Sequence, residues 1–101
     1  MAEFKIEWSQ EARLDLYDIL DFYILRNGNA TYSRKLFRQI NKRIRLLRRN
    51  AFLGRQTDFP NVRALITGDF EIIYEVIEDT ILIAMIWDCR RNPDNKFIPP
   101  K

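Results

Sequence analysis

Three arginines stand where a sheet can present them. Arg63 opens one apolar run, and Arg90 and Arg91 close another two runs later, so neighbouring strands would bring these cations to one edge region of a sheet. Guanidinium groups held on a rigid sheet suit a phosphate or the phosphorane of a phosphoryl-transfer transition state. The other reading is solvent exposure, or pairing with Glu71, Glu75 or Asp88. Glu71 and Glu75 alternate with apolar residues, where a carboxylate is able to serve as general base on a ribose 2′-hydroxyl or simply to line the wet face of a half-buried strand. Asp88 is placed to pair with Arg90 or Arg63 and hold a strand end. Cys89 has no second cysteine and no histidine to work with, and reads as structural. Tyr74 reads as core, and Trp87 as a core or interface aromatic.

What is missing narrows the chemistry further. The 101 residues contain no histidine and one cysteine, which removes histidine triads, imidazole acid–base catalysis, common zinc sites and an internal disulfide. No glycine-rich phosphate loop, metal cluster or nucleophile elbow occurs, so neither a metal nor a cofactor is expected. Hydrophobic residues make up 47% and charged residues 31%, the balance of a soluble globular protein, and no apolar run approaches the ~20 residues of a membrane helix. The chain enters an alternating segment at once, without a secretory leader, and reads as one cytoplasmic domain over residues 1–101.

The elements that must position these residues follow from periodicity. From Val62 to Trp87, runs rich in Ile, Val, Phe and Tyr are broken at Thr67-Gly68-Asp69 and Glu78-Asp79, which predicts a meander of three antiparallel strands. The middle run places Phe70, Ile72, Tyr74 and Val76 on one face and Glu71, Ile73, Glu75 and Ile77 on the other. The last run is apolar on both faces, as in a strand that is central in its sheet or covered on its second side. Ahead of the meander, residues 3–8 alternate as an N-terminal strand that should join the sheet at an edge. Ser9 caps a helix over about 10–25, with Ala12, Leu16, Ile19, Leu20 and Tyr23 inward and Glu11, Asp15, Asp18 and Asp21 outward. Asn27-Gly28-Asn29 breaks the chain, and a second helix follows over about 30–49. Its apolar stripe is Tyr32 or Ser33, Leu36, Phe37, Ile40, Ile44 and Leu47. It also carries Arg34, Lys35, Arg38, Lys42, Arg43, Arg45, Arg48 and Arg49 and no acid. This is either a solvated face partly neutralised by the first helix, or a surface for nucleic acid or an acidic protein. Residues 50–61 read as an aperiodic connector, and Phe97 and Ile98 as a tail folding back onto the body.

The ordered set of residues resembles a known family. Trp8-Ser9 followed by Ala12, Asp15-Leu16, Ile19 and Phe22, then Ala30, Leu36-Phe37 and Ile40, then Val-Arg-Ala-Leu from Val62, Phe-Glu-Ile-Ile-Tyr-Glu-Val from Phe70 and Asp-Cys-Arg-Arg-Asn-Pro from Asp88, is similar to the RelE/ParE toxins of bacterial type II toxin–antitoxin modules. The resemblance covers about residues 3–95. It implies an α+β fold, with a helical hairpin packed on an antiparallel sheet, and a cognate antitoxin that wraps the toxin in a hetero-oligomer. It also implies growth arrest by one of two routes. ParE-like members poison DNA gyrase, and RelE-like members cut messenger RNA on the ribosome. Arg90 matches the family's strand-end arginine, and Arg63 a basic position on the first meander strand. The arginine that ribonuclease members carry after the aromatic of the middle strand is Glu71 here, and their C-terminal tyrosine or histidine is absent, with Phe97 nearest. These departures favour the ParE-like branch. On the resemblance, Arg63, Arg90 and Arg91 are expected to contact the target, and Arg38, Lys42, Arg45 and Trp87 the antitoxin. A ribonuclease would instead have to use Arg63, Glu71 and Arg90.

Overall fold

The computed structural model describes residues 3–90; Arg91 and the tail with Phe97 and Ile98 lie outside them. In chain order the elements are β1 (Lys5–Trp8), α1 (Gln10–Asn27), α2 (Thr31–Leu46), β2 (Arg55–Gln56), β3 (Val62–Thr67), β4 (Phe70–Ile77) and β5 (Thr80–Asp88). The helical hairpin and the three-strand meander therefore stand where periodicity puts them. The helix α1 starts because the Ser9 hydroxyl accepts the Ala12 N–H at 3.0 Å. It stops at Gly28, whose φ of 74° is open to glycine without a Cβ clash and whose N–H closes onto the Ile24 carbonyl. Asn29 then restrains the next start, its Oδ1 accepting the Thr31 N–H at 3.1 Å.

Both helices bury a stripe against one face of the sheet. Ala12, Leu16, Ile19 and Tyr23 of α1 meet Leu36, Ile40, Ile44 and Leu47, together with Leu65, Phe70, Ile72, Tyr74, Ile81, Ile83 and Ile86. Phe37 departs from the expected stripe. It is 44% exposed, because it sits at the margin of the buried arc rather than within it. Ser33 is the buried polar member, and its hydroxyl donates to the Leu20 carbonyl at 2.7 Å, stitching the hairpin together.

The sheet is mixed rather than wholly antiparallel. Its order is β1-β5-β4-β3-β2, and β1 runs parallel to β5 at one edge. The long α1–α2 crossover between β1 and the meander permits that pairing, since a parallel neighbour needs such a connection. At the other edge β2 pairs with β3 inside the segment expected to be an aperiodic connector; two residues are too few to show a period.

The apolar character of β5 on both faces has a local cause. Tyr74 is opposite Ile83 and Ile73 is opposite Met85, so Ala84 is an extra residue, a β-bulge that reverses the strand's parity. Ile81 and Ile83 point at the helices before it, and Ile86 and Asp88 after it. Groups of α1 and its cap satisfy the bulge: the Ser9 hydroxyl donates to the Ala84 carbonyl at 2.9 Å, and Asp15 Oδ2 accepts the Ile86 N–H at 3.0 Å. Asp15 is thus no member of a solvated acidic stripe. Burial pushes its carboxyl above the usual range, helped by the nearby charges of Glu11 and Asp18 and opposed by the Ile86 N–H.

Candidate functional site: two arginine ends and a basic hairpin

The structure separates the cations that the strand order seemed to gather. Since β4 runs antiparallel to both neighbours, the start of β3 and the end of β5 lie at opposite ends of the sheet. Arg63 is opposite Tyr74 and Asp88 opposite Phe70, four residues along β4, or roughly 13 Å at the strand rise. Arg63 and Arg90 therefore form no common edge cluster. Arg91 lies outside the described residues.

At the Arg63 end the chain is tied shut. Tyr74, fully buried, donates its hydroxyl hydrogen to the Ala51 carbonyl at 2.8 Å and accepts the Gly54 N–H at 2.9 Å. Burial raises the phenol's pKa, so it stays protonated and can donate. Arg63 closes the same loop from outside, with Nη1 2.7 Å from the Gly54 carbonyl and its guanidinium 4.9 Å from the centre of the Phe52 ring. Gly54 is there for space: a Cβ would lie 2.9 Å from the Ala64 carbonyl and from the Tyr74 ring. Arg63 here spends its best donor on a main-chain carbonyl.

At the Arg90 end the groups face a cleft. The Arg90 guanidinium lies 4.8 Å from the Tyr23 ring centre, 5.8 Å from Tyr32 and 5.9 Å from Phe70. Its Nη2 donates to the Tyr32 hydroxyl at 3.0 Å, and its Nε is 3.5 Å from Asp69 in an exposed ion pair. Asp88 holds the strand terminus: Oδ2 accepts from the Tyr23 hydroxyl at 2.8 Å and Oδ1 from the Arg90 main-chain N–H at 3.0 Å. Burial first, and then the bond to Asp88, push the Tyr23 phenol up, so it remains a donor at neutral pH. Phe22, Tyr23, Arg26 and Arg90 line a cleft of about 340 Å³ beside it.

Glu71 lies at the Arg90 end of the sheet, next to Phe70 in β4, but on the opposite face. It is 3% exposed, on the sheet face away from the helices, and accepts from Arg55 Nη2 at 2.8 Å and from the Cys89 thiol at 3.7 Å. The wet outward position expected for Glu71 is thus a buried ion pair, whose arginine comes from the strand that periodicity missed. Of the three residues that a ribonuclease would need, Arg63 is at one end of the sheet, and Glu71 and Arg90 are at the other end on opposite faces. Trp87 is cross-strand from Glu71 on that far face.

The remaining basic residues act as a surface. Arg38, Lys42 and Arg45 line a cleft of about 530 Å³ with Phe37 and Asn41. Phe37 and Asn41 also wall a neighbouring cleft of about 200 Å³ with Trp8, Arg13, Leu16 and Tyr17. The two make a continuous apolar and cationic groove on the hairpin. Not every cation of this run is free: Arg43 Nε donates to the Thr67 hydroxyl, and Arg48 and Arg49, which lie beyond the end of α2 at Leu46 rather than in a helix reaching 49, pair with Glu3. Sequence reading missed Arg55, Asp15, Tyr23, Tyr32 and Arg26 as site-building residues. The spacing of Phe22 and Arg26, one helical turn apart, was the signal available for the last. Among the described residues no group of acids and cysteine is arranged to hold a metal ion, and no helix is long and apolar enough to cross a membrane.

These features define a small α+β protein with a cationic helical hairpin over a mixed sheet whose last strand ends in an aromatic-caged arginine. A family model described as the ParE toxin of the type II toxin–antitoxin system, parDE, matches residues 6–93, and the chain belongs to that toxin family. Among solved structures, the chain is similar to one titled as the chromosomal ParDE TA system from P. aeruginosa, at 26% identity and a TM-score of 0.75, covering 83% of this chain and 94% of that one. The E. coli DinJ–YafQ toxin–antitoxin complex matches at a TM-score of 0.57 and 12% identity, over 89% of this chain and 97% of that one, a likeness of fold alone. No curated protein sequence matches the chain.

Proposed function

We propose that this chain arrests growth by binding and inhibiting DNA gyrase, without catalysis of its own, and that a cognate antitoxin neutralises it in the cytoplasm. The observation that carries this reading is the match to the ParE toxin family over residues 6–93. The distance of Arg63 from Arg90, and the position of Glu71 on the opposite sheet face from Arg90, support it, since a general base on one face cannot serve a phosphate held on the other. Arg90 is the target-contacting residue, because its guanidinium is oriented by three rings and a tyrosine hydroxyl yet remains open to solvent. Arg91 follows it in sequence and shares the assignment. Arg63 contributes by holding the loop at Gly54.

The antitoxin docks on the hairpin groove. Arg38, Lys42 and Arg45 beside Phe37 and Tyr17 suit an amphipathic segment with acidic residues along its rim. Trp87 faces the other side of the sheet, so one antitoxin that reaches both must pass around an edge strand.

Supercoiling by purified gyrase, followed in the presence of the protein, tests the reading. Inhibition is expected, and it should be lost in the Arg90→Ala, Arg91→Ala double variant, while antitoxin affinity stays within about tenfold, or 1.4 kcal/mol. Unimpaired supercoiling together with codon-phased cleavage of messenger RNA on ribosomes would replace gyrase by the ribosome as target.

A further inference from the structure

We infer that the cleft between Arg26 and Arg90 holds a phosphodiester of DNA, with both guanidinium groups on one phosphate and the Phe22 ring as a platform for the neighbouring base. The choice of DNA rests on the gyrase reading; the anion site itself rests on the geometry. Arg26 stands in the last turn of α1 and Arg90 just beyond β5, so two rigid elements deliver two guanidinium groups to one cleft of about 340 Å³. That volume lies at the small end of the range for bound ligands, enough for one nucleotide unit.

The two arginines have different duties. Arg90 is oriented by the Tyr32 hydroxyl and by Tyr23, yet its side chain stays partly exposed, so its outer donors can reach a further acceptor. Arg26 has no hydrogen-bond or ion-pair partner among the described residues, although it lines the same cleft. The acids nearby do not fill the site. Asp88 turns inward to Tyr23 and the Arg90 main chain, and Asp69 meets Arg90 in an exposed pair at 3.5 Å, of the kind a phosphate displaces at little cost. Phe22 adds an apolar wall, set edge-on to Tyr23 with the ring centres 4.9 Å apart. A π-face next to paired guanidinium groups is what a single-stranded nucleic acid binds with its base and backbone together.

Fluorescence anisotropy of a labelled single-stranded DNA oligonucleotide at low salt, titrated with the whole protein, tests the site. Arg26→Gln should weaken binding about tenfold and reduce the slope of log K against log salt by about 0.7, the value of one lost phosphate contact on a single strand. The Arg34→Gln, Lys35→Gln double variant, altered on the basic face of α2, should bind within about twofold of the parent. If this double variant loses binding and Arg26→Gln does not, the DNA lies on α2 and the inference is wrong. Displacement of the oligonucleotide by polyglutamate as readily as by unlabelled DNA would make the cleft a carboxylate site, and tighter binding of RNA than of DNA would also overturn the assignment. Gyrase inhibition without any oligonucleotide binding sinks the inference and spares the proposed function. Arg26-dependent DNA binding without gyrase inhibition does the reverse.

Discussion

Arg63 and Arg90 begin as the same side chain on parallel-running strands of one meander, and the sheet turns them to opposite uses. Arg63 reaches a main-chain carbonyl at 2.7 Å and locks a loop whose hydrogen bonds converge on the buried Tyr74 hydroxyl. Arg90 is held by ring faces and one hydroxyl, and its only ion pair among the described residues is with an exposed carboxylate. An arginine whose donors end on the protein's own main chain stabilises. An arginine oriented by π-faces and hydroxyls, with its side chain partly exposed, is prepared to meet something else. Strand position alone does not tell the two apart.

The largest test of this contrast falls on the closed end. Gly54→Ala places a methyl 2.9 Å from the Ala64 carbonyl and the Tyr74 hydroxyl, and should cost about 3 kcal/mol in urea or thermal unfolding. Gly28→Ala meets nothing within 4 Å and should cost only the positive φ, about 1 kcal/mol. Equal losses at the two glycines would remove the knot at Tyr74 from the account.

Next in size is the direct exchange. Arg63→Ala should destabilise the fold by about 1–2 kcal/mol, since it strips a charged donor from the Gly54 carbonyl. Arg90→Ala should change stability by less than about 1 kcal/mol, because its ion pair is exposed. In growth-arrest assays at matched protein levels the order should invert, with Arg90→Ala the more damaging. A toxic Arg90→Ala protein beside an inactive yet stable Arg63→Ala protein would reverse the roles assigned here.

The smallest effect concerns Asp15, which bridges α1 to the β5 bulge. Its folded-state carboxyl titrates above the ordinary carboxylate value of 3.8, mainly through burial, so the folded protein binds this proton more tightly than the unfolded chain. The proton's contribution to stability is present below the unfolded pKa and is lost as pH rises through the folded one. Asp15→Asn keeps an acceptor for the Ile86 N–H and removes the titration. The variant's stability relative to the parent should therefore increase as pH rises from below 3.8 through that window. A difference that stays flat with pH, measured by urea unfolding, would detach Asp15 from the bulge.

How far the molecule was legible depended on the length of each signal. Two helices and three meander strands announce themselves because each spans at least one full period, and the cap at Ser9, the break at Gly28 and the face of Phe70, Ile72 and Tyr74 stand as their residue types demand. β2 was illegible at two residues, and Phe37 was misread because an apolar residue at the edge of a helical stripe serves equally well for a core or a docking surface. Glu71 was misread because alternation assigns a face but not what covers it or which cation reaches it.

Local pattern by itself determined the elements, the hairpin's charge and the family likeness, for these depend on residues within a few turns of one another. Only the tertiary structure decided that β1 lies parallel beside β5, that an extra residue at Ala84 reverses the parity of the last strand, and that Arg55 neutralises Glu71. It also decided which arginine is tied down and which stands open beside Arg26. Each of these is a pairing between residues far apart in the chain, set by strand direction and register, and periodicity within a segment carries no record of either.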